Sequence, residues 1–331
     1  MAGRRRKKSG GRSYAWRYRG RIVACVFVEV IIICALVIMI GWNKGVKEWF
    51  EQFEQPVLKE VDISGINSPN AILMQARGGK ILGEINGEAQ IYPASMTKIM
   101  TVILGIENFD DLDEKITLTD EMFAGLYEQD ATQAGFQPGE EVRVIDLLYG
   151  AMLPSGAECC IALADTISGS EADFAELMNK KARKLGMENT HFCDSTGLHN
   201  PDHYSTVKDI AVLMKYCIKN DTFREIVETS RHSTGVTNIH PDGITYYSTM
   251  FKNLSDPTVT GGKILGGKTG YTSEAGHCLV SFAEIEGREY IFVSAGASGA
   301  DGNTIPHIQD AVTVYNRVGV AVEAKMNDNN K

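Results

Sequence analysis

Several absences narrow the possibilities for this 331-residue chain before any motif is weighed. No Gly-x-Ser-x-Gly elbow occurs, which removes the usual signature of one large class of serine hydrolases. No phosphate-cradling glycine loop is read. Cysteine is sparse, with seven residues. Cys25 and Cys34 fall in an apolar run, and Cys159, Cys160, Cys193, Cys217 and Cys278 lie beyond it. That outer set is odd in number and fits neither a disulfide framework nor a zinc spacing. Cys159, Cys217 and Cys278 sit in apolar periodic stretches, so buried free thiols are expected. His199 and His203 are four apart, but Asn200-Pro201 between them opposes the helix such a ligand pair needs, and a loop is predicted. No metal or other cofactor is expected. Acidic residues are missing from positions 1–21, and a linker-like break is missing from Val57 to Ala324.

The acid-free start carries Arg4, Arg5, Arg6, Lys7, Lys8, Arg12, Arg17, Arg19 and Arg21. The whole chain has a formal charge of −9, and because this tail supplies +9 the remainder carries −18. So acidic a body excludes nucleic acid as a partner. After the tail, residues 22–40 hold a single charge, Glu29. As a helix this run spans roughly 28 Å, the thickness of the hydrocarbon layer. A transmembrane anchor is expected, with the basic tail (1–21) in the cytoplasm and everything after Gly41 outside. A cleaved signal peptide is the competing reading. Its apolar region is about 7–15 residues and ends in a small-residue site, whereas Met39-Ile40-Gly41-Trp42 offers none.

Residues 41–56 read as a stalk, 57–324 as one catalytic domain and 325–331 as a polar tail. Within the domain, Ala71 to Ala76 and Ile81 to Ile85 around Arg77-Gly78-Gly79-Lys80 predict a hairpin. Cys278 to Ile285 and Glu289 to Ser294 around Glu286-Gly287 predict a second. Between them lie helices: a continuously apolar one from Ser95 to Asn108, two broken at Pro154-Ser155-Gly156, one through Phe174 to Leu185, and one starting near Thr206. A last helix is expected from about Ile308 to Val318. Strands at both ends with helices between predict an α+β fold. Its antiparallel sheet is closed by distant segments and flanked by helices, with a helical lobe inserted.

Three short motifs carry the chemistry: Ser95-Met96-Thr97-Lys98, Ser155-Gly156-Ala157 and Lys268-Thr269-Gly270. Ser95 at a helix start is a candidate nucleophile, with Lys98 one turn on, on the same face. A neutral Lys98 amine can take the Ser95 proton, but the ordinary lysine value of about 10.4 must first be lowered by burial and by a nearby cation, Lys268. Ser155 can relay the proton to a leaving amine. Lys268 can hold a substrate carboxylate beside the Thr269 hydroxyl. The backbone N–H groups of Ser95 and Tyr271, next to Gly270, can form an oxyanion hole. Each motif alone is weak. A second Ser-x-x-Lys, Ser205-Thr206-Val207-Lys208, reads as a helix cap with a solvated lysine. The joint pattern, including Met152-Leu153-Pro154-Ser155-Gly156 and Gly266-Gly267-Lys268-Thr269-Gly270-Tyr271-Thr272, is specific.

On these motifs, and on Tyr92-Pro93-Ala94-Ser95, Thr190-His191-Phe192, Thr196-Gly197-Leu198 and His203-Tyr204-Ser205-Thr206, the chain resembles the serine-type D-alanyl-D-alanine carboxypeptidases, the low-molecular-mass penicillin-binding proteins, from about Gly65 to Val318. The resemblance implies a penicillin-recognising serine-enzyme fold and removal of the terminal D-alanine from peptidoglycan stem pentapeptides. It also implies acylation of Ser95 by β-lactam antibiotics, and the expected anchor at 22–40 then puts the protein at the bacterial cell membrane. Three departures matter. Position 157 is alanine where the second motif ordinarily ends in asparagine, so an amide facing the lysine and the substrate is missing. An arginine that some members place after the last strands does not appear among residues 298–307. No C-terminal β-rich domain or amphipathic anchor is read. A β-lactamase or transpeptidase of the same fold, and a non-catalytic peptidoglycan-binding member, are the alternatives. The intact Ser95, Lys98, Ser155 and Lys268 oppose the last, because a binder needs no nucleophile.

Overall fold

The two ends of the domain meet in one sheet. A computed structural model describes residues 58–254, 256–299 and 305–329. The basic tail, the apolar run 22–40 and the stalk lie outside the described residues. Among the described residues no helix is long and apolar enough to cross a membrane.

Strands β1 (Asn70–Gln75) and β2 (Ile81–Ile85) open the chain order. A 3-10 turn (Ala94–Thr97) leads into helix α1 (Lys98–Asn108), followed by β3 (Lys115–Thr117) and β4 (Glu141–Arg143). Helices α2 (Val144–Met152), α3 (Ala157–Ser168), α4 (Glu171–Leu185), α5 (Val207–Cys217) and α6 (Asp221–Glu228) come next. Strands β5 (Arg231–Ser233) and β6 (Thr245–Tyr247) and helix α7 (Thr249–Asn253) lead to β7 (Thr258–Val259), β8 (Gly262–Thr272), β9 (Gly276–Ile285) and β10 (Arg288–Ala297). Helix α8 (Pro306–Asn329) closes the series.

The main sheet has six strands in the order β2-β1-β10-β9-β8-β7, every neighbouring pair antiparallel. The pairing of β1 with β10, Asn70 opposite Ala295 through Gln75 opposite Tyr290, joins segments more than 200 residues apart. Period-two alternation then assigns the faces. Ala71, Leu73, Leu279, Ala283, Ile285, Tyr290 and Phe292 pack with α8 residues Ala311, Val314, Tyr315 and Val318. Ile72, Met74, Cys278, Val280, Phe282, Ile291 and Val293 pack with α1 to α6 on the other side. Both faces are therefore covered, and the helical lobe is the stretch between β2 and β7. The α+β architecture expected from the sequence is what the chain adopts.

Helix α1 is buried from Lys98 to Gly105, as its unbroken apolar run predicts. Thr206 caps α5, its Oγ1 accepting from the Asp209 N–H at 3.0 Å, while Ser205 is buried and Lys208 pairs with Glu88 at the surface. The second Ser-x-x-Lys is thus a helix start, capped one residue later than its serine. Two local expectations change and one holds. Ser95 sits in the 3-10 turn before α1, so Lys98 is the first α-helical residue. Helix α8 runs to Asn329, well past Val318, and takes in most of the expected loose tail. Finally, Gly262 to Thr269 fits the letters of a phosphate-binding Gly-x-x-x-x-Gly-Lys-Thr loop, which the sequence reading passed over. It runs within strand β8 with no helix after it, so its N–H groups pair with neighbouring strands and gather round no phosphate.

Candidate active site

The turn that carries Ser95 is held from both sides. Ala94, just before it, has φ 47, a left-handed conformation that alanine adopts at a cost of about 1–2 kcal/mol. Strand β8 approaches so closely at Gly270 that a Cβ there would lie 3.1 Å from the Ser95 nitrogen and from the Pro93 oxygen. On the far side, a Cβ on Gly197 would fall 1.9 Å from the Ala94 oxygen. Ser95 itself stays half-buried. Lys98, 3% exposed, donates from Nζ to Ser95 Oγ at 3.1 Å and to the Thr196 carbonyl at 2.6 Å. Burial pushes its pKa below the ordinary lysine value, against the opposing fields of Cys160, Asp194 and Glu158.

Ser155 occupies the sharp turn between α2 and α3 with φ 74, the second strained residue of the site. The surrounding backbone over-determines it. Gly156 N donates to the Gly150 carbonyl and Ala157 N to the Thr132 carbonyl, both at 2.8 Å. Lys268 on β8, 1% exposed, donates to Ser155 Oγ at 3.0 Å and to the Thr269 carbonyl at 2.9 Å. Burial pushes this amine well below its ordinary range, and the neighbouring Lys98 lowers it further. Of the two causes expected to depress Lys98, burial and Lys268, burial is the main one, as it is for Lys268; Lys98 has the fields of Asp194 and Glu158 opposing its loss of charge, and Lys268 only that of Cys160. The expected division into a neutral Lys98 and a cationic Lys268 therefore needs an anion beside Lys268.

Thr269 Oγ1 lies 2.7 Å from Thr249 Oγ1 at the start of α7, and Tyr271, 62% exposed, forms the rim with its ring 4.7 Å from that of His277. The three motifs thus come together in space. Ser95, Lys98, Ser155, Lys268 and Thr269 bring side chains, Gly270 brings close backbone, and Tyr271 stands at the edge. One acid–base arm runs Ser95–Lys98 and the other Ser155–Lys268. That pairing suits attack by a serine hydroxyl and protonation of a leaving group.

Sequence reasoning missed what holds the arms. Asp194 accepts from Thr196 N (2.7 Å), Thr196 Oγ1 (2.8 Å) and Gly197 N (2.6 Å), and its other oxygen lies 3.1 Å from His203 Nδ1. Burial works against the charge, but His203 and these donors outweigh it and hold the carboxyl at about 2. Thr196, Gly197 and His203 were visible as part of the family resemblance, yet nothing in their spacing announced a loop folded over Lys98. Glu158 does not stand in for the missing amide at position 157. Its Oε1 accepts from Ala134 N (2.6 Å) and Gly135 N (2.9 Å), tying down the neighbouring loop. It reaches Lys98 through its field only, and burial raises its pKa. Cys159, Cys160, Cys217 and Cys278 are buried free thiols, and Cys193 is free and half-buried. His199 and His203 lie on a loop, as predicted.

Residues 57–299 match the family pattern described as D-alanyl-D-alanine carboxypeptidase. The chain is 35% identical over 231 residues to D-alanyl-D-alanine carboxypeptidase DacF of Bacillus subtilis, covering 69% of this chain and 57% of that one. It is 33% identical over 262 residues to DacC of Escherichia coli, covering 72% and 58%. The chain thus spans a little over half the length of these curated relatives. Among solved structures it is similar to a mutant of the Streptomyces K15 DD-transpeptidase, with a TM-score of 0.70 and 30% identity over 77% of this chain and 98% of that one.

Proposed function

The chain belongs to the D-alanyl-D-alanine carboxypeptidase family, and from that membership we propose that it is a serine D,D-carboxypeptidase of cell-wall synthesis, acting on peptidoglycan stem peptides and acylated by β-lactams. The observation that carries this is the paired contact of Lys98 Nζ with Ser95 Oγ at 3.1 Å and Lys268 Nζ with Ser155 Oγ at 3.0 Å in one pocket. In the reaction, Ser95 Oγ attacks the carbonyl carbon of the penultimate D-alanine and its proton passes to the neutral Lys98 amine. The N–H groups of Ser95 and Tyr271 face the oxyanion that develops. The peptide C–N bond then breaks as the proton held by Lys98 passes through Ser155 to the departing D-alanine amine, which leaves Lys98 neutral again. Lys268 and Thr269 hold the substrate carboxylate. Water attacks the ester with Lys98 again as base, freeing Ser95. No step draws on a metal or organic cofactor.

Similarity to a protein named DD-transpeptidase supports a second reading in which an amine, not water, accepts the acyl group. The apolar run 22–40 supports a single-pass anchor in the bacterial membrane, with the basic tail in the cytoplasm and the catalytic domain outside. The test is incubation of separate samples of the full chain with a labelled penicillin and with a stem pentapeptide ending in D-Ala-D-Ala. A stoichiometric ester on Ser95, absent in Ser95→Ala, together with release of D-alanine, is the expected result. Absence of both overturns the proposal. Rapid penicillin turnover indicates a β-lactamase, and release of D-alanine only with an added amine acceptor indicates the transpeptidase.

A further inference from the structure

The molecule contains a carboxylate–imidazole–hydroxyl chain, Asp194–His203–Thr97, in which Asp194 Oδ2 lies 3.1 Å from His203 Nδ1 and His203 Nε2 lies 2.9 Å from Thr97 Oγ1. The order resembles that of a hydrolytic triad, but Thr97 is 0% exposed and His203 2%, so no substrate reaches the hydroxyl. Its position suggests another role. Thr97 lies between Ser95 and Lys98. Asp194 spends its remaining oxygen on Thr196 N, Thr196 Oγ1 and Gly197 N, and the Thr196 carbonyl is the second acceptor of Lys98 Nζ. The Cys193 N–H also donates to His203 Nδ1, at 3.2 Å. Nδ1 thus faces both the Asp194 carboxylate and the Cys193 N–H, and Nε2 faces the Thr97 hydroxyl, so His203 bridges the two segments in either tautomer.

We infer that Asp194 and His203 are positioning residues for the acylation step. Together they clamp the Thr196 carbonyl and the Thr97 turn from one point and so hold the Lys98 amine on the Ser95 hydroxyl. Lys98 sits on a flexible stem, and a single hydrogen bond to Ser95 leaves its amine free to swing. A second acceptor fixes it only if that carbonyl is itself immobile, and every polar neighbour of Asp194 serves that end. This inference rests on Ser95 being the acylated residue.

The test compares the wild type with Asp194→Asn, which keeps the shape and can still accept at one oxygen, and with Thr97→Val, which removes only the hydroxyl. For each, the reversible affinity for penicillin and the rate constant for covalent acylation are measured separately by stopped-flow. The expected result is a fall of about tenfold or more in the rate constant for Asp194→Asn, with reversible affinity changed by less than about twofold. A residue that merely supports the fold would weaken both or neither. A smaller loss of rate, or an equal loss of affinity, overturns the inference. If Asp194→Asn does not fold, Thr97→Val carries the decision, with a loss of about fivefold or more supporting it and a smaller loss overturning it. Failure of the wild type to form a Ser95 ester would instead sink the functional reading beneath it.

Discussion

Gly197→Ala tests the packing of the site most directly, because a matched control exists in the same chain. Gly197 has φ +80 and Gly169, at the C-terminal end of α3, has φ +81. The backbone penalty for alanine is the same at both, about 1 kcal/mol. The surroundings differ. A Cβ on Gly169 meets nothing within 4 Å, whereas one on Gly197 lies 1.9 Å from the Ala94 oxygen and 2.5 Å from its carbonyl carbon. Those atoms are backbone, so relief requires the two segments to part by about 1.5 Å, at an added cost of about 2 kcal/mol. Gly169→Ala should therefore lower Tm by about 3 °C and Gly197→Ala by about 8 °C. The parting also draws the Thr196 carbonyl from Lys98, so acylation by penicillin should fall about 100-fold in Gly197→Ala and stay unchanged in Gly169→Ala. Thermal unfolding and the acylation rate measured on both proteins decide it. Equal Tm shifts with unimpaired acylation would refute the claim that this loop is pressed against the Ser95 turn.

Lys98→Met should leave the fold intact while lowering the acylation rate by about three orders of magnitude, the usual worth of a positioned general base. Rapid-quench labelling with penicillin measures it. Asp194 should stabilise the domain by about 2 kcal/mol at neutral pH, because its carboxyl is held at about 2 in place of the ordinary 3.8. A depressed carboxyl stabilises above its ordinary value, so urea unfolding of wild type against Asp194→Asn should show a gap that closes as pH falls from about 4 to about 2. Asp310, buried on α8, accepts from the N–H and side chain of both Asn67 and Ser68. Asp310→Ala strands those donors and should cost about 3 kcal/mol in chemical unfolding, with Ser95 labelling of the folded protein unchanged.

How much of this was legible in the sequence follows the range of the interactions. The hairpins, α1 and the Thr206 cap were readable because each is decided by residues a few positions apart. The closing pair β1–β10 was readable only as an inference from strands at both ends, since no local signal aligns Asn70 with Ala295. Short strands such as β3 and β5, three residues each, carry too little periodicity to be seen. In the site, Ser95, Lys98, Ser155 and Lys268 were legible because motif chemistry names them. The Thr196 carbonyl was not, because a backbone acceptor has no identity in sequence. The positive φ of Ser155 was hidden as well, since it is imposed by contacts of the turn with Gly150 and Thr132 and not by a glycine at that position.

The two lysines leave one question of charge that the pocket answers by itself. Both amines are buried, and among the described residues neither donates to a carboxylate; their acceptors are hydroxyls and carbonyls. Two ammonium groups so placed repel, and burial disfavours the charge on each. The fields of Asp194 and Glu158 favour keeping the charge on Lys98, and nothing comparable supports Lys268. Before substrate binds, that difference in field leaves Lys98 the better placed of the two amines to hold a proton. A ligand carboxylate beside Lys268 reverses the balance: it stabilises charge there, and repulsion then drives the proton from Lys98. The base is made available by the ligand that needs it. A peptide ending in D-alanine amide in place of the free acid lacks that anion. Its acylation rate should rise with pH along a limb displaced upward from that of the acid, because Lys98 keeps its proton longer. Rate–pH profiles for the acid and amide peptides measure the displacement. Coincident limbs would mean that the carboxylate only anchors the substrate and plays no part in setting the proton.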